Sequence, residues 1–533
     1  MEKTAGTPIV IIAGATAAVF YGLYVLAGFG ICISSFVFLT VLVVAATGIL
    51  YYYIGKRRNL FVYYLVFGMI GCALGAYAQL DLWAQQQPPQ TLAPLQSVHT
   101  IIVELTGEPL PAGTDYYRIP VRLIACNTAR QQQFSASGTM QVLIPEALIK
   151  GTYAGGITKI KEQAELADIA MPLISTAVFL PFLRDAQPCR FYAKGLRMLI
   201  YGKFNRTATA FYVRPMQPVF LGWYSALSRI RALLRFTFMR LLYEWGNAGG
   251  LLLALLAADK NFLPSECTTA FRNAGLAHIL ALSGMHLSLI STAALQGGAL
   301  FGHKRWAIQC SLIAVSLFVW FAGSAPSLNR ALGMIFIAAL GRFLGLSPSL
   351  FAILCTMLTV HITFGSSDAV TLGFMLSYGA CAGIMLFGDA CARLILGKLP
   401  PTIVQSLSAS VGAQLFTLPI VIGAIGSISA VGIIASCIVS PMVSAFLISG
   451  LIAIPLAVII PPLSPLLGSV LNRAYSGIFF TADFFARMPL ITTATTVQRI
   501  VIASVGFLLG VGITVAAYRY NKRLIQKLPF RSK

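Results

Sequence analysis

The chain has 533 residues, of which 57% are hydrophobic and only 10% charged, with a formal net charge of +22 and a mean hydropathy of +0.81. Such an apolar fraction exceeds what a soluble core needs, which excludes an ordinary soluble domain and leaves a polytopic α-helical membrane protein. The positive excess is more than insertion requires, so it must face anionic lipid or meet a polyanion.

Two apolar runs open the chain, roughly 9 to 28 and 31 to 54, each long enough for the ~20 residues that cross hydrocarbon. Neither has the short apolar core and small-residue cleavage site of a removable signal, so both are expected to stay. Lys56, Arg57 and Arg58 follow, and the positive-inside rule makes that triplet cytoplasmic. Met1 then lies inside too, and a third span at about 60 to 79 completes an N-terminal membrane unit (1–80) and carries the chain outside.

Between residues 90 and 215 the hydropathy collapses and strand-like alternation takes over, which predicts an extracytoplasmic domain (with its flanks, residues 80–220). Strands are expected at Val98 to Leu105, Tyr117 to Ala125, Thr139 to Ile144, Leu196 to Gly202 and Ala208 to Val213, with a helix at Lys159 to Ile169 between the third and fourth. Five short strands with a helix in that place suggest an OB-like β-barrel. The block holds 13 Lys or Arg against 8 Asp or Glu, and aromatic residues are interleaved. Arg118, Arg122, Tyr192, Arg197, Tyr201 and Lys203 are the candidates for binding a single strand, by backbone charge and base stacking. The alternative is that the aromatics fill the barrel and the basic groups solvate a face.

Ten cysteines occur without a Cys-x-x-Cys pair or a histidine at zinc-finger spacing, so no metal and no cofactor is expected. Cys126 and Cys189 both fall in the exterior block, where thiols can oxidise, and a disulfide between them is the expectation.

Trp223 to Trp245 carries Arg229, Arg231, Arg235 and Arg240 among apolar residues, which suits an amphipathic helix lying at the interface (220–246). Gly249 to Ala258 is too short to cross and is expected to be a buried or re-entrant piece ending at Asp259. In the remaining membrane unit (247–518), spans are expected near 276–297, 306–322, 331–345, 350–366, 370–388, 403–424, 430–458, 464–487 and 499–518, about eleven or twelve in all. Pro441, Pro455, Pro461, Pro462 and Pro465 could break two of them. The basic tail 519–533 falls inside on this count, with both termini cytoplasmic.

Polar atoms inside these spans are costly and mark candidate pathway residues. On an unbroken helix His278, Ser283 and His286 share one face, within about a 140° arc. The plain alternative is hydrogen bonding across a tight helix pair. Arg330 sits at the exterior mouth of a span, where it could meet a phosphate or a lipid headgroup. Gln414 and Thr417 precede Pro419 in mid-span, a hinge or a pore constriction. Ser377 is a weaker candidate, since a membrane serine often bonds its own preceding carbonyl.

Taken together, these residues resemble the ComEC family of DNA-uptake membrane proteins. The segment Phe271-Arg-x-Ala-Gly-Leu-Ala-His-Ile-Leu-Ala-Leu-Ser-Gly-Met-His286 looks like that family's signature, which brings Arg272 into the candidate set. Gly250-Leu-Leu-Leu-Ala-Leu-Leu with Asp259, Pro326 with Arg330-Ala331, Gly373-Phe-x-Leu-Ser377 and Gln414-Leu-x-Thr-Leu-Pro419 agree in order. Departures are Ala258-Asp259-Lys260 where the family commonly has Gly-Asp-Arg, Met375 for a frequent glutamine, and Ser436 for an expected asparagine.

The resemblance implies a channel in the cytoplasmic membrane that passes single-stranded DNA during natural transformation. It implies as partners an extracytoplasmic DNA receptor protein, a cytoplasmic helicase or translocase, a separate nuclease, and room for a homo-oligomer. Many relatives add a C-terminal metallo-β-lactamase-like domain, and none is expected here, because the five histidines form no cluster for a two-metal nuclease. No phosphate-binding loop is present to make the chain its own motor. Two rivals stand beside this reading: an intramembrane hydrolase using Ser283, His286 and Asp259 as nucleophile, base and orienting acid, and a small-solute transporter.

Overall fold

The computed structural model describes residues 8–28, 58–145, 193–299, 304–388, 391–392 and 400–492. Within these lie gaps at 88, 92–93, 95–96, 114, 129–131, 206–209, 215, 217, 261 and 430, and isolated positions are described at 148, 498–499 and 512. The spans expected at 31–54 and 499–518, the barrel helix at 159–169, and Tyr192 and Cys189 lie outside the described residues.

Helices α1 (Pro8–Gly28) and α2 (Arg58–Gln86) pack together and feed the barrel. Its strands are β1 (Gln90–Thr91), β2 (Val98–Leu105), β3 (Leu110–Ala112), β4 (Tyr116–Thr128), β5 (Gln133–Ser137), β6 (Thr139–Pro145), β7 (Leu196–Phe204), β8 (Ala210–Val213) and β9 (Val219–Trp223). Five of them close a ring in the order β2-β4-β6-β8-β7 and back to β2; β6 and β8 are parallel and every other pair is antiparallel. These are the five strands expected from the period-2 pattern, and the inward residues Ile101, Val103, Ile119, Val121, Val142, Met198, Ile200 and Phe211 fill the interior.

Helix α3 (Ala226–Tyr243) starts with a capping box, Ser225 and Ser228 bonding each other's backbone N–H. The first half of α3 keeps the exposure expected of an interfacial helix, while its second half packs against α4 (Gly246–Ala257). Helix α4, about 18 Å long at 1.5 Å per residue, has ten of its twelve residues buried and returns antiparallel to α3. Of the two expectations, buried or re-entrant, its burial meets the first, and the largest apolar cluster among the described residues forms around it.

Ala258 ends α4 in the left-handed region, at φ 59, where a Cβ is strained. Ala258→Gly is expected to stabilise the protein by about 0.5 to 1 kcal/mol, read as a raised thermal midpoint in detergent; an unchanged or lowered midpoint would show that the strain is absorbed elsewhere.

After α5 (Ser265–Asn273) the expectation of one span over 276–297 is not met. The chain is irregular over 274–283 and only then forms α6 (Gly284–Ala299). Gly275 at φ +77 breaks the helix, so His278 does not share a helical face with Ser283 and His286.

The remaining helices follow the expected hydropathy closely: α7 (Lys304–Ala322), α8 (Pro326–Phe343), α9 (Leu350–Phe364), the single turn α10 (Ser366–Ala369), α11 (Leu372–Gly383) running on as a π turn at Ile384–Gly388, and α12 (Pro401–Ala424). Strand β10 (Ser427–Ser429) then leads into α13 (Gly432–Ile459) and α14 (Ser464–Ala486), and β11 (Leu490–Thr492) pairs with β10. Pro441 and Pro455 leave α13 in one piece. Among the described residues, α1, α2, α12 and α13 are long and apolar enough to cross a membrane, and α4, α7, α9 and α11 are shorter apolar helices.

The barrel meets the helices at one end of the bundle. The C-termini of α4 and α7 are held by Arg235, whose Nη1 donates to the carbonyls of Ala257 (3.0 Å), Phe321 (3.1 Å) and Ala322 (2.9 Å). Its Nη2 reaches Glu108 in the β2–β3 loop, at 3.0 Å from Oε1 and 3.1 Å from Oε2. One arginine therefore caps two helix ends and pins the barrel to them.

Candidate functional site

The signature segment supplies the centre. His286 is 0% exposed in the first turn of α6, and its Nδ1 accepts the backbone N–H of Ser283 at 3.1 Å with Ser283 Oγ also 3.1 Å away. Because Nδ1 is the acceptor, a neutral ring carries its proton on Nε2. That Nε2 is buried and makes no hydrogen bond.

Arg330, in the second turn of α8, comes alongside. A methyl built on Gly284 would make ordinary contact with Arg330 Nη2 at 3.6 Å, which puts the guanidinium beside the signature backbone. Arg330 Nη1 donates to the Ser377 carbonyl at 2.8 Å, and its Cζ lies 5.9 Å from the centre of the Tyr378 ring. Arg330 Nε and Ser377 Oγ are also buried without hydrogen-bond partners. Arg330 and Ser377 thus meet between α8 and α11, with Gly284, two residues before His286, beside the guanidinium; each of the three unsatisfied polar groups carries a desolvation cost of about 1 to 3 kcal/mol.

Gln414 meets the signature segment at its start. A methyl on Gly432 would sit 3.6 Å from Gln414 Nε2 and 3.5 Å from the Ala274 carbonyl, which puts the amide beside the broken signature segment. Gly383 brings α11 close to the same helix: a Cβ there would overlap the Gly412 carbonyl of α12, two residues before Gln414. Helix α12 continues through Pro419, and Thr417 Oγ1 donates to the Ala413 carbonyl at 2.9 Å.

The other predicted residues lie apart from this centre. His278 and Arg272 are exposed on the irregular segment and the last turn of α5. Asp259 is buried just past the end of α4. The hydrolase rival would need an acid on the second ring nitrogen of His286, and among the described residues Nε2 makes no hydrogen bond.

Sequence reasoning missed the support behind Arg330. Tyr378 OH lies 3.1 Å from His361 Nδ1, and His361 Nε2 lies 3.5 Å from Asp368 Oδ2. Nearby, Ser366 Oγ donates to Asp81 of α2 at 2.6 Å, and Tyr21 OH of α1 to the Ala369 carbonyl at 2.8 Å. The N-terminal helices are therefore tied to the turn that carries this polar chain. The available signal was His361, a histidine in an apolar helix.

On the barrel, strand register sorts the candidates into two rows. Arg122 opposes Glu104, and Glu104 opposes Arg197, whose Nη2 approaches its Oε2 at 3.6 Å. Arg118 opposes Leu143, which opposes Tyr212, which opposes Lys203; Tyr116 and Tyr212 meet edge to face at 6.2 Å. The second row, with two exposed tyrosines and two exposed cations, has the composition of a stacking platform. Tyr201 opposes Thr100 between the rows. Cys126 is buried in the barrel core, which pushes its thiol pKa up, so a bond to Cys189 would form inside the barrel rather than on its surface.

Residues 255–519 match the family described as competence protein. Over 208 residues the chain is 24% identical to ComE operon protein 3 of Bacillus subtilis (strain 168), covering 39% of this chain and 26% of that protein. Over 212 residues it is 23% identical to the protein named "Uncharacterized protein YcaI" of Escherichia coli (strain K12), covering 38% of this chain and 28% of that one. These matches span roughly a quarter of the length of either relative. No solved structure matches the chain. Through residues 255–519, the chain belongs to the competence protein family.

Proposed function

We propose that this protein acts in DNA uptake as a multi-pass channel of the cytoplasmic membrane that passes one DNA strand past His286, Arg330, Ser377 and Gln414. The observation that carries this reading is a set of buried polar atoms without hydrogen bonds: His286 Nε2 on α6, and Arg330 Nε and Ser377 Oγ on the touching α8 and α11. A donor, a guanidinium and a hydroxyl of this kind suit a passing phosphodiester, which supplies acceptors for the donors and charge for the arginine. Strand order and the parallel β6–β8 closure support an OB-type barrel, whose Arg118, Tyr212 and Lys203 row would receive the strand first.

In this reading Arg272 and His278 stand at the barrel-side rim of the path, and both termini are cytoplasmic. An exterior receptor delivers DNA, a separate nuclease removes the other strand, and a cytoplasmic helicase or translocase draws the strand in; a homo-oligomer is compatible with it. The Cys126–Cys189 disulfide belongs to the same proposal.

The test is import of fluorescent DNA by a transformable strain that carries this gene in place of its own homologue. His286→Ala is expected to lower import about 10- to 100-fold, the weight of one charge-assisted hydrogen bond, at unchanged amounts of folded protein in the membrane. Full import by the folded variant would refute the assignment.

A further inference from the structure

The end of the bundle away from the barrel carries a feature that strand passage does not use. A cavity of about 280 Å³ opens between α6, α7, α8 and α9, lined by Ser291, Ser311, Met334, Ala338, Ile353 and, at its mouth, Arg342. Ser291 and Ser311 satisfy each other across 2.7 Å, so the cavity offers an apolar wall with its polar groups already paired. The exception is the exposed Arg342 guanidinium, in the last turn of α8.

The surface around the mouth is built for contact with lipid. Phe343 is 87% exposed, and Leu344, Leu346 and Leu350 of the α8–α9 turn are also largely exposed. Trp306, in the first turn of α7, stands 56% exposed, as an interfacial tryptophan does. The chain places Lys304 and Arg305 immediately before it. Apolar slot, aromatic collar and cationic mouth together match one chemistry: an acyl chain with a negatively charged head.

We propose that this crevice binds one anionic phospholipid, with part of an acyl chain in the slot and its phosphate at Arg342. The site is independent of the DNA-uptake reading and would exist in a protein of any transport function. Charge complementarity commits it to an anionic lipid, since a zwitterionic head adds an ammonium that Arg342 repels.

The test uses the full chain in nanodiscs of phosphatidylcholine with a photoactivatable phosphatidylglycerol or phosphatidylcholine as probe. Label recovered on the peptides of α8 and α9 is expected to favour phosphatidylglycerol about five-fold, the weight of one interfacial arginine. Arg342→Gln, an exposed change that leaves the packing alone, should equalise the two probes. Ala338→Phe, which fills the slot, should reduce both labels. Equal labelling by the two lipids in the unaltered protein, or a preference that survives Arg342→Gln, would overturn the proposal.

Discussion

Arg235→Ala is expected to cost the fold about 3 to 5 kcal/mol. The side chain is 5% exposed and is the shared partner of three helix-terminal carbonyls and Glu108. Removing it takes the donor from the Ala257, Phe321 and Ala322 carbonyls and leaves the partly exposed Glu108 carboxylate with only Arg231 near it among the described residues. Arg235→Lys should recover less than half of the loss, because one ammonium cannot span both helix ends and the barrel loop. Thermal unfolding in detergent measures this. The double variant Arg235→Ala, Glu108→Gln should be less unstable than the sum of its parts, since the stranded charge is gone. A loss below about 1 kcal/mol for Arg235→Ala would show that the barrel and helices hold together without the latch.

Arg330→Ala is expected to be the most damaging change to function. Its guanidinium bonds the Ser377 carbonyl, faces the Tyr378 ring and lies beside Gly284, so one substitution unties α8 from α11 at the signature segment. Import should fall about 100-fold or more, while the fold loses only about 1 to 3 kcal/mol. Arg330→Lys keeps the charge but not the planar fork, and should restore no more than about a tenth of import. The comparison separates two accounts. If any cation suffices, the residue sets only a field; if Lys fails, the fork's geometry matters. Wild-type import by Arg330→Ala would remove the residue from the path.

Much of the fold was legible because period and hydropathy are local properties. The five barrel strands followed from alternation, and Pro441 and Pro455 proved tolerable within α13 because their neighbours in the bundle hold the helix. The irregular segment before α6 was not legible. Its residues are as apolar as a span, and the break depends on Gly275 at positive φ packing against Ser429 and Gly432, which are distant in sequence. That one misjudged helix moved His278 off the His286 face.

The site was legible to the same extent. His286, Arg330, Ser377 and Gln414 announced themselves as polar groups in apolar helices; Arg330 and Ser377 touch, Gly284 of the signature segment lies beside Arg330, and Gln414 lies beside Ala274 through Gly432. Arg235 with Glu108, and Tyr378 with His361 and Asp368, did not announce themselves, since their meaning lies in long-range partners. Arg235 in particular looked like one cation among four on a surface helix.

The central claim is that a DNA strand passes the orphaned polar groups, and site-specific photocrosslinking during import tests it most directly. A benzoylphenylalanine at Gln414 should trap single-stranded DNA, and one at Ile459, 75% exposed on the α13 surface, should trap none. Equal crosslinking from both positions, or none from Gln414 while import proceeds, would contradict it.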